Sequence, residues 1–288
     1  MNKPVVLSYL FLLSVLVACN VQSVKAPSAA PNYVQVLRNI RLGSDSDTTL
    51  VELETRPGIT QRILLKKPKD PQASLILFAG GHGNLDISNN GDISWGKSNF
   101  LVRSRDLFIY HGFLVALVDA PSDRKNERGM LYGFRTSPEH AQDIGAIISY
   151  LRKQFPVPVW LVGTSRGVAS AANAAIRITQ GGPDGLVLTS SVSRWNEKGD
   201  NLLDMALEDI GVPALVVHHK DDRCRVTPYR GVRDIMKKLK GSSIAEHISF
   251  TGGNAPVSEP CGARSRHGFY GIEEEVVETI SQWIKRYL

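Results

Sequence analysis

Long basic runs, internal repeats and low-complexity blocks are all missing from this chain. The first absence removes the electrostatic footprint of a nucleic-acid binder, so no nucleic-acid partner is expected. The second excludes solenoids and disordered scaffolds. The formal charge of +6 leaves a mildly basic surface, compatible with an anionic membrane or envelope polymer. Cysteine is scarce, with three residues, too few for a disulfide-dense scaffold. No apolar stretch is long enough for a typical membrane span. What is present is ordinary for a soluble globular protein: 42% hydrophobic and 22% charged residues.

The one extended apolar stretch, Val5 to Ala18, follows the short basic start Met1-Asn2-Lys3 and has the length of a secretory h-region. It ends Leu16-Val17-Ala18-Cys19, which resembles the bacterial lipobox, in which the cysteine is lipidated and becomes the mature N-terminus. The alternative is an ordinary signal peptide cut after Val24-Lys25-Ala26. The resemblance divides the chain into a signal peptide (1–18), a Pro/Ala-rich tether (19–32) and one domain (33–288). It implies export and membrane attachment through lipid on Cys19. Asn20 after the cysteine implies the outer membrane, facing the periplasm. With Cys19 so used, Cys224 and Cys261 remain as an even pair in an oxidising compartment and are expected to be bridged; the alternative is two separate buried thiols.

Residues 33–66 read as short strands, Val34–Leu42, Thr49–Thr55 and Thr60–Lys66, separated by turn residues. After Pro71 short apolar runs alternate with helical segments. The runs are 74–79, 113–119, 157–162, 185–189, 213–218 and 244–250; the helices are expected at about 98–111, 138–155, 166–179, 201–210, 228–239 and 270–287. Near-continuous apolar strands are those buried on both faces. The pattern predicts a doubly wound, mostly parallel α/β sheet entered through antiparallel strands.

Gly163-Thr164-Ser165-Arg166-Gly167 follows one of these strands and opens a helix rich in small residues, the context a G-x-S-x-G nucleophile turn requires. Over residues 33–288 the chain resembles the α/β-hydrolase family, in its esterase and dienelactone-hydrolase-like form. The family order of serine, acid and histidine implies Ser165, Asp222 and His267 as a catalytic triad. Asp222 stands in the segment Pro213 to Cys224, with Asp221 its neighbour and His219 where the family usually has glycine. His267 stands in the loop Cys261 to Phe269, before the last helix. His247, inside an apolar strand pattern, is expected to be structural. Leu77 to Gly83 resembles the family's oxyanion-hole segment, which implies donors from the Arg166 N–H and from Gly81 or His82. His82 has no partner at metal-ligand spacing, and neither metal nor cofactor is expected.

Arg166 replaces the apolar residue or glutamine common after the serine. It either meets a substrate carboxylate or, as buried arginines more often do, pairs with an internal acid such as Asp143 or Asp119. Loops at 82–98, 121–137 and 190–201 are expected to line the pocket, with no room for a large cap domain between 189 and 213. The resemblance implies hydrolysis of an ester-like acyl bond in a small-molecule or acylated substrate. Peptidase, thioesterase and acyltransferase use of the same triad, or a lipoprotein that keeps the scaffold only for binding, stay open.

Overall fold

The structure, a computed structural model, describes Met1, residues 34–42 and residues 47–288. The h-region, Cys19 and the tether lie outside the described residues. Nine strands form one sheet: β1 (Gln35–Arg41), β2 (Thr48–Arg56), β3 (Ile59–Lys66), β4 (Ala73–Phe78), β5 (Phe113–Val118), β6 (Val159–Thr164), β7 (Gly185–Thr189), β8 (Ala214–His219) and β9 (Ala245–Phe250). Their spatial order is β1-β2-β3-β5-β4-β6-β7-β8-β9. Pairing is antiparallel from β1 through β3 to β5 and parallel from β5 to β9.

Burial explains the sequence pattern. Every residue of β4 to β8 is buried, because helices cover both faces. β2 alternates and β1, at the edge, is exposed throughout. One core lies under α3 (Pro138–Gln154), α4 (Gly167–Arg177) and α5 (Val232–Lys238), and holds Ile147, Leu161, Val168 and Leu188. The other lies under α1 (Phe100–Arg103), α2 (Arg105–Tyr110) and α6 (Glu273–Lys285), and holds Trp160, Val162 and Trp283. The two tryptophans meet edge to face at 5.6 Å. α3 starts as its sequence dictates: Ser137 accepts the His140 N–H and Pro138 occupies the first turn.

Three helix expectations change. The helix expected at 98–111 is divided at Ser104 into α1 and α2. The one expected at 201–210 is two 3-10 turns, Leu202–Asp204 and Leu207–Asp209. Its buried apolar residues, Leu202, Leu207 and Ile210, are spaced five and three apart and do not make a continuous helical stripe. The last helix begins at Glu273, because Phe269 and Gly271 adopt left-handed conformations. β7 and β8 are joined by only 24 residues, 190–213, without an inserted domain.

Candidate active site

The parallel strands β4, β6, β7 and β8 deliver their loops to one edge of the sheet, at the point where chain order reverses on either side of β4. Ser165 sits there between β6 and α4, at φ +52°, a left-handed conformation that costs a non-glycine residue about 1–3 kcal/mol. The turn closes only because its neighbours lack side chains. A Cβ on Gly163 would stand 2.6 Å from the Gly167 carbonyl oxygen, and one on Gly167 2.1 Å from that of Phe78. Both obstacles are backbone, so Gly167→Ala is expected to destabilise the fold by about 3 kcal/mol through forced overpacking, read by urea denaturation. An unchanged denaturation midpoint would mean that α4 can slide away from β4.

Asp222 follows β8 and is held on every side. Its Oδ1 accepts the Cys224 N–H at 2.8 Å and its Oδ2 the Thr227 hydroxyl at 2.9 Å. The same Oδ2 lies 2.9 Å from His267 Nδ1 and 3.3 Å from His218 Nε2. Burial alone would raise this carboxyl; the two imidazoles outweigh it and hold Asp222 well below the usual carboxylate range. His267 lies in a short 3-10 turn, Arg266–Gly268, whose start Ser265 caps and whose His267 carbonyl accepts the Ser190 hydroxyl at 2.7 Å. Cys224 and Cys261 are joined by a disulfide, as expected, which ties the Asp222 loop to the His267 loop. Ser165 and His267 line one cavity of about 280 Å³, with Gly80, Gly81, Trp95 and Cys261 among its walls.

No family model and no curated protein matches the chain by sequence. Solved structures do match it by shape. An α/β serine hydrolase without a lid, from Xanthomonas campestris, superposes with a TM-score of 0.57 at 15% identity, over 84% of this chain and 96% of that one. An esterase from Pyrococcus furiosus gives 0.59 at 13% identity, over 88% and 98%. An α/β serine hydrolase homologue from Coxiella burnetii gives 0.56 at 16% identity, over 88% and 99%. The fold is that of the α/β hydrolases. In its frame Ser165 stands at the strand-to-helix turn, and Asp222 and His267 stand on the loops after β8 and β9.

The α/β-hydrolase frame also locates the other expected residues. Gly81, at φ +59°, lines the cavity beneath Trp95, whose ring would collide with any Cβ there. Among the described residues the Gly81 and Arg166 N–H groups donate no hydrogen bond within the protein. The His82 N–H, the alternative donor, likewise donates no hydrogen bond among the described residues; its ring lies 3.7 Å from that of Trp95 and its Nδ1 accepts the Asn84 N–H. Burial and the nearby Arg135 and Lys198 charges push its pKa down.

The Arg166 side chain pairs with an internal acid, but neither of those expected. It binds Asp200 Oδ2 at 3.3 Å, the Gly199 carbonyl at 2.9 Å and Asn196 Oδ1 at 2.7 Å, fixing the 196–200 loop. Asp143 is taken by Arg56 and Thr55. Asp119 accepts the N–H groups of Leu85, Asp86 and Ile87 and the ammonium of Lys125. His247 lies on the edge strand β9 beside Tyr229, away from the cavity.

Thr227 and His218 carry no local sequence signal, and Arg135, on the 121–137 loop expected to line the pocket, is not among the cavity walls. The fully buried Arg135 braces the turn after β4, donating to the carbonyls of Ala79 (3.0 Å) and Gly81 (3.3 Å) and to Ser170 (2.7 Å). Burial lowers its pKa to about 10, against the pull of Asp200, so it stays charged.

Proposed function

We propose that the protein is a serine hydrolase that cleaves an ester-like acyl bond through an acyl-enzyme. The observation that carries this reading is the shared cavity: a strained Ser165 and a His267 whose Nδ1 is anchored by a buried carboxylate face the same space. His267 Nε2 removes the Ser165 proton as Oγ bonds to the substrate carbonyl carbon. The N–H groups of Arg166 and of Gly81 or His82 receive the negative oxygen. The C–O bond to the alcohol breaks and the leaving oxygen takes the proton from His267. Water then repeats the sequence, giving its proton to His267 and its oxygen to the acyl carbon, and Ser165 is released with the carboxylic acid.

Asp222 stabilises the imidazolium at both stages and fixes the tautomer with Nδ1 protonated. Treatment with a fluorophosphonate, followed by mass spectrometry of the peptide containing Ser165, is expected to show one covalent adduct on that serine. A folded protein that takes up no label would mean that the scaffold serves binding alone.

We further infer export and lipid attachment at Cys19, on the sequence evidence of the h-region and lipobox. Cys19→Ala is expected to move the protein from the membrane fraction to the soluble fraction of the envelope; unchanged membrane association would refute the anchor.

A further inference from the structure

Arginines in this protein are paired as a rule. Arg38, Arg56, Arg62, Arg103, Arg152 and Arg286 all face acids. Among the described residues five arginine side chains make no hydrogen bond, ion pair or ring contact, and all five belong to the loops around the Asp222–His267 pair: Arg194, Arg223, Arg225, Arg230 and Arg264. Arg223 and Arg225 flank Cys224, and the disulfide brings that segment to Cys261, three residues before Arg264. Cys261 is itself a wall of the reactive cavity. The exposed acids nearest to them are Asp221 and Glu259 on the Asp222 and His267 loops and Glu197 on the Arg194 loop, and none of the three pairs with any of the five arginines. Like charges gathered this way repel one another, and an anionic ligand relieves that repulsion.

The strip ends in a second cleft, of about 220 Å³, between Ser193-Arg194 after β7 and Pro228 to Asp234 after β8. Arg194, Arg230 and Arg233 line it beside one carboxylate, Asp234, which accepts from Arg233 Nε at 3.3 Å. Ser193 is only 6% exposed, and its hydroxyl is buried without a partner. Gly231 forms the facing wall, where a Cβ would fall 1.9 Å from Ser193 Oγ. The cleft is tied to the reactive site by backbone: Ser193 N–H donates to the Val226 carbonyl at 3.0 Å, and the next residue, Thr227, contacts both Asp222 and His267. Two guanidiniums without a protein partner suit a tetrahedral oxyanion, whose oxygens accept forked N–H pairs.

We propose that this cleft binds a phosphate-type oxyanion carried by the substrate, so that the enzyme acts on acyl esters of phosphorylated or comparably anionic molecules. The assignment of the ion to a substrate rests on the hydrolase reading; the cleft itself does not.

The test therefore has two arms. In the first, inorganic phosphate is titrated calorimetrically into the full chain, which needs no turnover. Saturable one-site binding is expected, weakened about tenfold or more in Arg194→Ala/Arg230→Ala and less in Arg223→Ala/Arg225→Ala, which lie outside the cleft. No saturable binding, or equal loss in both double variants, overturns the cleft in favour of a diffuse positive surface. In the second, kcat/KM is compared for an aryl ester with a phosphate on its acyl chain and the analogue with a hydroxyl there. The phosphate-to-hydroxyl ratio is expected to fall about tenfold or more in Arg194→Ala/Arg230→Ala. An unchanged ratio with phosphate binding lost would assign the cleft to a free ion and overturn the substrate assignment. Failure of the hydroxyl ester and of fluorophosphonate labelling in the wild type would instead locate the error in the hydrolase reading.

Discussion

Ser165→Ala is expected to lower kcat for ester hydrolysis by about 10⁶-fold while leaving the protein folded. The size of the loss follows from the role of the hydroxyl. Without Oγ no acyl-enzyme forms, and His267 and the N–H donors retain only the weak ability to assist direct attack by water. Stability should hardly move. The left-handed backbone is as strained for alanine as for serine, and the Ser165 N–H still donates to the Thr189 carbonyl at 2.9 Å. Ser165→Gly supplies the control: it also removes Oγ but accepts φ +52° without a Cβ clash, so it should be equally inactive and more stable by about 1 kcal/mol. Single-turnover assays with thermal denaturation read both effects. A loss below about 100-fold would show that Ser165 is not the attacking group.

The features legible in the sequence were those fixed by local pattern. Uninterrupted apolar runs gave the buried parallel strands within about two residues at either end, because burial on both faces leaves no polar alternation. The glycines around Ser165 gave the turn, because backbone contacts at 2.6 Å and 2.1 Å forbid anything larger. Tertiary pairings were not legible. Nothing local distinguishes Asp200, which Arg166 meets 34 positions away, from Asp143, which Arg56 meets across 87. Thr227 is an unremarkable loop threonine until Asp222 and His267 close around it. The helix expected at 201–210 is absent because of its own apolar spacing. Its buried apolar residues, Leu202, Leu207 and Ile210, are spaced five and three apart, so the segment buries them from two single turns, the first capped by Asn201, rather than from one helical face.

Asp222→Asn is expected to lower kcat about 10⁴-fold without dislodging His267. The surroundings of the carboxylate explain why an amide cannot replace it. Oδ1 accepts the Cys224 N–H, so an asparagine NH₂ placed there would set two donors against each other at 2.8 Å. The carbonyl must therefore take that position, which turns the NH₂ toward His267 Nδ1 and the Thr227 hydroxyl. The imidazole then offers Nδ1 as acceptor and carries its proton on Nε2, where the lone pair is needed to deprotonate Ser165. The pH dependence separates this from simple unfolding. Asp222 is depressed in the folded state, so its ionised form contributes stability that is fully present above the ordinary carboxylate pKa of about 4 and is lost as pH falls through the lower folded value. Between pH 5 and 8 that contribution is constant, so the activity ratio of wild type to Asp222→Asn should not follow their stability difference across this range. Below about pH 4 the wild type should lose stability more steeply than the variant, which has no carboxyl to protonate at this position. Chemical denaturation at stepped pH, beside kcat at each step, reads both. Activity that declines only in proportion to the unfolded fraction would reduce Asp222 to a structural support and remove it from the triad.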